Sequence, residues 1–188
     1  QKKDDIQGLV SVLGVKYTTA RVVAEKAIDL AVKKLGVKAN KCQTHRLPIS
    51  GGKIDDFNSY LQMAKAEGSD VLDEETIEHL VYTYGSNFRV IVSAIKEQPE
   101  LAERIDSGSY VTKAEIIHAI RYEMALTLVD VVQRRTELGS AGMPSIMILQ
   151  RCAEIMGDEL GWDAEKQQNE IDAVIQKYPL SQLERATA

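Results

Sequence analysis

The sequence predicts a mainly α protein, a multi-helix domain preceded by a short strand, a turn and one helix. Three observations carry this. After Ile54 apolar residues recur at spacings of three and four almost without interruption, and each run has its own start and stop residues. Only residues 7–13, where Leu9, Val10, Val12 and Leu13 form a block ended by Gly14, read as a strand. The length of 188 residues suits one domain of ordinary size with a short appendage.

A lone strand has no partners, so it either joins a sheet supplied by other residues or lies against the helices as an ordered tail. The first case implies a missing domain. The chain also opens on Gln1 rather than an initiator methionine, and we expect it to be excised from something longer. From Thr19 to Leu35, the residues Ala20, Val23, Ala24, Ala27, Ile28 and Ala31 give an amphipathic helix stopped by Gly36. Residues 37–53, with Pro48, Gly51 and Gly52, are a connector, and the boundary is placed within it: a leading part over 1–46 and a helical domain over 47–188.

Within the helical domain, one helix runs over 55–67 and stops at Gly68. The next enters at Asp73, whose carboxylate can accept from free backbone amides while Glu74 and Glu75 oppose the helix dipole, and stops at Gly85. Ser86 or Asn87 starts another, with Val90, Ile91, Ala94 and Ile95 facing inward. Thr112 and Glu115 have the spacing of a capping box, followed by Ile116, Ile117 and Ile120. Thr127 and Asp130 repeat the device, so residues 112–138 form two helices or one kinked helix. Pro144 and Ser145 open a long helix with Leu149, Cys152, Met156 and Leu160, closed by Gly161. Asp163 caps the last helix, which carries Ile171, Val174, Ile175 and Tyr178 and ends at Pro179; Trp162 seals the turn before it.

Composition excludes several functions. Hydrophobic residues make up 44% and charged residues 27%, the balance of a folded globular chain. A net charge of -5 with dispersed basic residues argues against nucleic-acid binding. Two cysteines, Cys42 and Cys152, give no disulfide framework, which points to a reducing, cytoplasmic setting. No apolar run approaches the roughly 20 residues that span a bilayer, and no signal peptide is legible.

The chemistry concentrates at Gly14, Val15, Lys16, Tyr17, Thr18 and Thr19. A strand-to-helix turn presents unpaired amides and the positive end of a helix dipole to whatever lies before it, so it can hold an anion or an electron-rich carbonyl. Lys16 adds a full charge, and Thr18 and Thr19 add hydroxyls. The plainer alternative is that Thr18 is an N-cap and Lys16 a solvated lysine. Cys42 and His45 have ligand-like spacing but no second pair to complete a metal site, so no metal is expected. His79 and His118, within helical patterns, are assigned no role. Glu115, Arg121, Glu123, Asp130, Arg134 and Arg135 are dense in one helical region and are read as structural ion pairs fixing how helices cross.

The stretch Leu9-Val10-Ser11-Val12-Leu13-Gly14-Val15-Lys16-Tyr17-Thr18-Thr19-Ala20-Arg21, the segments around Ala119-Ile120-Arg121-Tyr122-Glu123-Met124-Ala125 and Leu128-Val129-Asp130-Val131-Val132-Gln133-Arg134-Arg135-Thr136, and the Gly161-Trp162-Asp163 turn together resemble the C-terminal portion of the FAD-dependent glycerol-3-phosphate dehydrogenases. The resemblance implies that 1–46 is the remnant of an FAD-binding domain, that the rest of that domain is a missing partner, and that the parent oxidises glycerol 3-phosphate to dihydroxyacetone phosphate. It implies that Gly14, Val15, Tyr17, Thr18 and Thr19 face the flavin and that Lys16 lies near the flavin or the substrate phosphate. It implies too a quinone or other acceptor, and a parent that is cytoplasmic or peripheral on the inner membrane. The chain alone is expected to be inactive, with no FAD bound. Two positions depart from the family: Val15 stands where a second glycine is usual, and Ala20 where an aromatic residue is usual. A valine keeps the turn only with a negative φ. The competing expectation is a stand-alone helical module that docks on a protein partner; it requires an exposed apolar patch away from the Gly14 turn, whereas a severed domain edge requires one around residues 9–13 and the helix after them.

Overall fold

A computed structural model describes residues 8–14 and 16–178, so Gln7, Val15 and Pro179 lie outside the described residues. The chain divides into two compact units, one ending at Ile49 and one beginning at Ser50.

In the first unit, residues 9–14 form no β-ladder with any described residue. A strand is defined by the hydrogen bonds a neighbour accepts, and no neighbour is there to accept them. Tyr17–Thr19 make a single 3₁₀ turn that leads into helix α1, Ala20–Leu35. Gly36 ends α1 in the left-handed region at φ 66°, its amide donating to the Lys33 carbonyl. No residue of α1 is buried.

Among its described residues the second unit holds seven further α-helices: α2 (Phe57–Gly68), α3 (Glu74–Tyr84), α4 (Phe88–Glu97), α5 (Lys113–Glu123), α6 (Leu128–Asp130), α7 (Ile146–Leu160) and α8 (Ala164–Ile175). The caps expected at Asp73 and Asp163 are present, each side chain accepting the amide three residues on at 2.8 Å. Ser145 caps α7 in the same way, at 3.3 Å. The start of α2 falls later than the sequence pattern puts it: Asp56 rather than Asp55 accepts the Ser59 amide, at 2.8 Å, so the helix begins at Phe57. Its end falls at Gly68, as the pattern places it: Gly68 is the last helical residue and is buried, and with the Ile77 side chain 3.0 Å from where a Cβ would lie, the same glycine also makes room for α3.

Two helices, not one kinked helix, occupy residues 112–138. Met124 takes a left-handed conformation at φ 57° and ends α5. The Thr127 capping box then starts α6, which widens at once into a π-helical turn over Val131–Arg135. The Thr136 amide closes that turn on the Val131 carbonyl at 3.0 Å.

Two apolar clusters fill this unit. The first gathers Leu61, Ile77, Leu80, Phe88, Ile91 and Ile95 from α2, α3 and α4. The second gathers Ile116, Leu128, Val132, Leu149, Met156 and Val174 from α5 to α8, with Trp162 packed against it. Helix α5 serves both, since Ala114 belongs to the first cluster and Ile116 to the second. The start of the unit is pinned where Gly51 meets Gly85. The Ser86 amide donates to the Gly51 carbonyl at 2.8 Å, and both glycines have positive φ. A Cβ on Gly85 would collide with the Gly51 carbonyl, which only glycine avoids.

Candidate functional site at the turn before helix α1

The turn is built from a glycine, an extended lysine and a 3₁₀ turn. Gly14 sits at φ 69° with nothing within 4 Å of where a Cβ would lie, so its backbone is open to close approach. Lys16 is extended at φ -81° and ψ 144°, exposed, and in no ion pair among the described residues. The plain N-cap reading of Thr18 does not hold. Thr19, not Thr18, occupies the position before α1, and its hydroxyl turns back to donate to the Lys16 carbonyl at 3.2 Å. No side chain caps either the 3₁₀ turn or α1. The first turn therefore offers open amides and an uncompensated positive helix end, beside the Lys16 ammonium. Leu13 is 91% exposed and Tyr17 fully exposed, so large apolar side chains border this polar edge. Of the six residues expected to make the site, the structure brings together Gly14, Lys16, Tyr17, Thr18 and Thr19; Val15 lies outside the described residues.

The same unit carries a cavity of about 280 Å³ between α1 and the segment after it, with Ala24, Ile28, Val32 and Cys42 among its walls. Arg21 spans its rim, donating to Glu25 at 2.8 Å and to Thr44 at 3.1 Å. The Cys42 thiol lies 3.0 Å from the Thr44 hydroxyl. Among the described residues no three His, Cys, Asp or Glu side chains converge on a metal position.

The six charged residues of the helical region are dispersed over several contacts. Asp130 accepts from Arg134 at 2.8 Å one helical turn on, and also from the Thr127 hydroxyl at 2.7 Å. Burial raises its pKa, but those hydrogen bonds and the Arg134 charge outweigh burial and hold it below the usual range. Glu123 and Arg135 approach only to 3.9 Å. Arg121 pairs bidentately with Glu159 of α7, at 2.5 and 2.8 Å, and that pairing holds Glu159 below the usual carboxylate range. A partner 38 residues away leaves no local sequence signal.

Glu115 has the least expected surroundings. It is 1% exposed, and one oxygen accepts the Thr112 amide at 2.7 Å while the other lies 2.9 Å from His79 Nε2. Burial alone would depress His79; the hydrogen bond and charge of Glu115, with Glu137 behind them, overcome it and raise the pKa. Nearby, burial drives His118 down, and its Nδ1 has no partner among the described residues. Burial likewise pushes Tyr84 up, and its hydroxyl has no partner among the described residues. His79 was assigned nothing from the sequence. A signal existed: Glu115 lies on one stripe with His118 and Ala119, three and four residues on, and all three are buried. Cys152 is sealed in the second cluster, and burial pushes its thiol up to about 12, which makes it inert.

Comparison with known proteins places these features. Residues 42–167 match the family model described as the C-terminal domain of alpha-glycerophosphate oxidase. The chain is 32% identical to a glycerol-3-phosphate dehydrogenase of Synechocystis, over 94% of this chain and 31% of that protein. It is 35% identical to the mitochondrial glycerol-3-phosphate dehydrogenase of Homo sapiens, over 88% of this chain and 23% of that protein. Its fold is similar to a crystal structure of the glycerol-3-phosphate dehydrogenase from Bacillus halodurans complexed with FAD, with a TM-score of 0.70 and 23% identity, over 87% of this chain and 34% of that one. The chain thus spans a third or less of the curated relatives it matches here.

Proposed function

The chain belongs to the family described as the C-terminal domain of alpha-glycerophosphate oxidase, and from that membership we propose that it is the C-terminal part of an FAD-dependent glycerol-3-phosphate dehydrogenase. Residues 1–46 are the edge of the FAD-binding domain and 47–188 the helical domain. Bound FAD supplies the hydride acceptor for oxidation of the C2 carbinol of glycerol 3-phosphate to dihydroxyacetone phosphate.

The residues present fit that cofactor. Gly14 leaves its backbone open, and no side chain caps the turn amides, so they can donate to electron-rich carbonyls. Lys16 supplies a positive charge for the flavin or the substrate phosphate, and Tyr17, Thr18 and Thr19 line the same edge. The observation that carries the reading is the location of exposed apolar surface. Among the described residues, 18 large apolar side chains are exposed and 11 of them lie between Leu9 and Ile49, on the unit where no described residue is buried. A free-standing docking module would instead show its patch on the helical unit.

No helix among the described residues is long and apolar enough to cross a membrane. The reading also takes the parent, as a proposal, to be cytoplasmic or held peripherally at the inner membrane, with a quinone accepting the electrons.

Two measurements test it. Purified alone, the chain is expected to be colourless and to leave glycerol 3-phosphate unoxidised; a flavin spectrum or turnover would count against the missing-domain reading. In the full-length enzyme, Lys16→Ala is expected to lower kcat/KM about tenfold or more, roughly 1.4 kcal/mol of transition-state stabilisation. Unchanged kcat and KM would remove Lys16 from the site.

A further inference from the structure

We propose that His79 is a proton-operated clasp: protonated on both ring nitrogens it ties the turn at residues 136–140 to α3 and α5, and loss of the Nδ1 proton lets that turn go. The inference stands apart from the flavin reading and rests on the two carboxylates that flank one imidazole. Nε2 lies 2.9 Å from Glu115 Oε1, and Nδ1 lies 3.9 Å from Glu137 Oε1.

The two carboxylates differ in freedom. Glu115 is 1% exposed, and its second oxygen is held by the Thr112 amide at 2.7 Å and hydroxyl at 3.2 Å. A carboxylate fixed in this way only accepts, so Nε2 carries a hydrogen in both charge states of the ring. Nδ1 is then the atom that titrates. When neutral it turns a lone pair toward Glu137, and two acceptors face each other without a hydrogen between them. When protonated it presents an N–H to the same carboxylate. Glu137 is 54% exposed, so a small swing of its side chain closes the gap to a hydrogen bond.

The other groups facing the ring are accounted for. Arg104, from the segment before α5, opposes protonation, but its guanidinium is held bidentately by Asp73 at 2.8 Å. The Tyr110 ring lies roughly parallel to that of His79, 6.3 Å away between centroids, and brings no charge to it. The net effect of burial, Glu115, Glu137 and Arg104 is to raise the titration above the ordinary 6.5.

The turn so held has other anchors as well. Gly139 donates to the Val132 carbonyl at 3.0 Å and Ser140 to the Glu137 carbonyl at 2.9 Å, and the Tyr178 hydroxyl donates to the Gly139 carbonyl at 3.3 Å. Opening the clasp removes the tie to α3 and α5 and leaves the turn held by the Val132 and Tyr178 bonds, with Leu138 against the second cluster.

Nitrogen-15 NMR of the His79 ring, with amide hydrogen exchange read at Gly139 and Ser140, tests this in the full chain and in Glu137→Gln. Between pH 6 and 9 the wild type is expected to lose the Nδ1 proton while keeping Nε2–H. Protection of the two amides, corrected for intrinsic rate, should fall about threefold, the order expected of a half-exposed ion pair. Glu137→Gln, a surface change that leaves folding intact, should abolish that fall and lower the His79 midpoint. An unchanged pH dependence of protection in Glu137→Gln, or a neutral ring protonated on Nδ1, would overturn the clasp.

Discussion

Residues 8–49 and residues 50–178 are both built from amphipathic helices, yet they end in opposite states. In the second unit every stripe meets another, and all of the buried side chains among the described residues lie there. In the first, α1 packs on the segment after it, and Ile28 is 63% exposed and Leu35 74% exposed. An amphipathic pattern states which face wants to be covered; it does not state that the cover is in the same chain. The difference follows from how many helices are available to pack, since one helix and a connector cannot enclose a core.

The sharpest way to break this comparison is to make the same kind of truncation in both units. Phe88→Ala empties a fully buried site in the first cluster and should cost about 3 to 5 kcal/mol in denaturant unfolding. Ile28→Ala should change stability by no more than about 0.5 kcal/mol in the chain as it stands. A large loss at Ile28 would mean that the first unit has its own core after all.

Next in size is the polar pair at the heart of the second unit. Glu115→Ala orphans the Thr112 amide and strips His79 of its partner, and about 3 kcal/mol should be lost, read from the same unfolding curves. A neutral result would show that the pair contributes nothing to joining the two clusters.

The pH dependence separates His79, half-buried, from His118, buried, and is smaller. His79 has a raised folded pKa, so its contribution is full below about 6.5 and is lost as pH rises through the raised value. His118 is depressed, so protonation costs stability, which is full above about 6.5 and falls as pH drops toward the depressed value. His79→Gln should therefore flatten the alkaline side of the stability profile, and His118→Gln the acid side near neutrality. Equal profiles in all three proteins would refute both assignments. Smallest of all is Arg134→Ala, which removes an exposed pair one helical turn apart and should lower stability by only about 0.3 to 0.5 kcal/mol.

Much of the second unit could be read from the chain because its signals are local. The caps at Asp73, Thr112, Thr127, Ser145 and Asp163 act over three residues, and each starts a helix where the pattern places it. Gly68 ends α2 where the pattern places the stop, but only the approach of Ile77 shows that the same glycine also makes room for a helix crossing. The turn at residues 14–19 was legible as an anion-facing edge from its residue types. The freedom of its amides was not, because that depends on where the Thr19 hydroxyl turns.

By itself, the sequence determined the helical class, the helix starts and the residues that gather at the turn before α1, since each follows from hydrogen bonds and apolar spacing within a few residues. Only the tertiary structure decided that Arg121 pairs with Glu159, that Glu115 holds His79, and that the first unit keeps its apolar face uncovered. Those outcomes depend on which distant surfaces meet, and apolar burial is non-directional: it drives faces together without saying which ones.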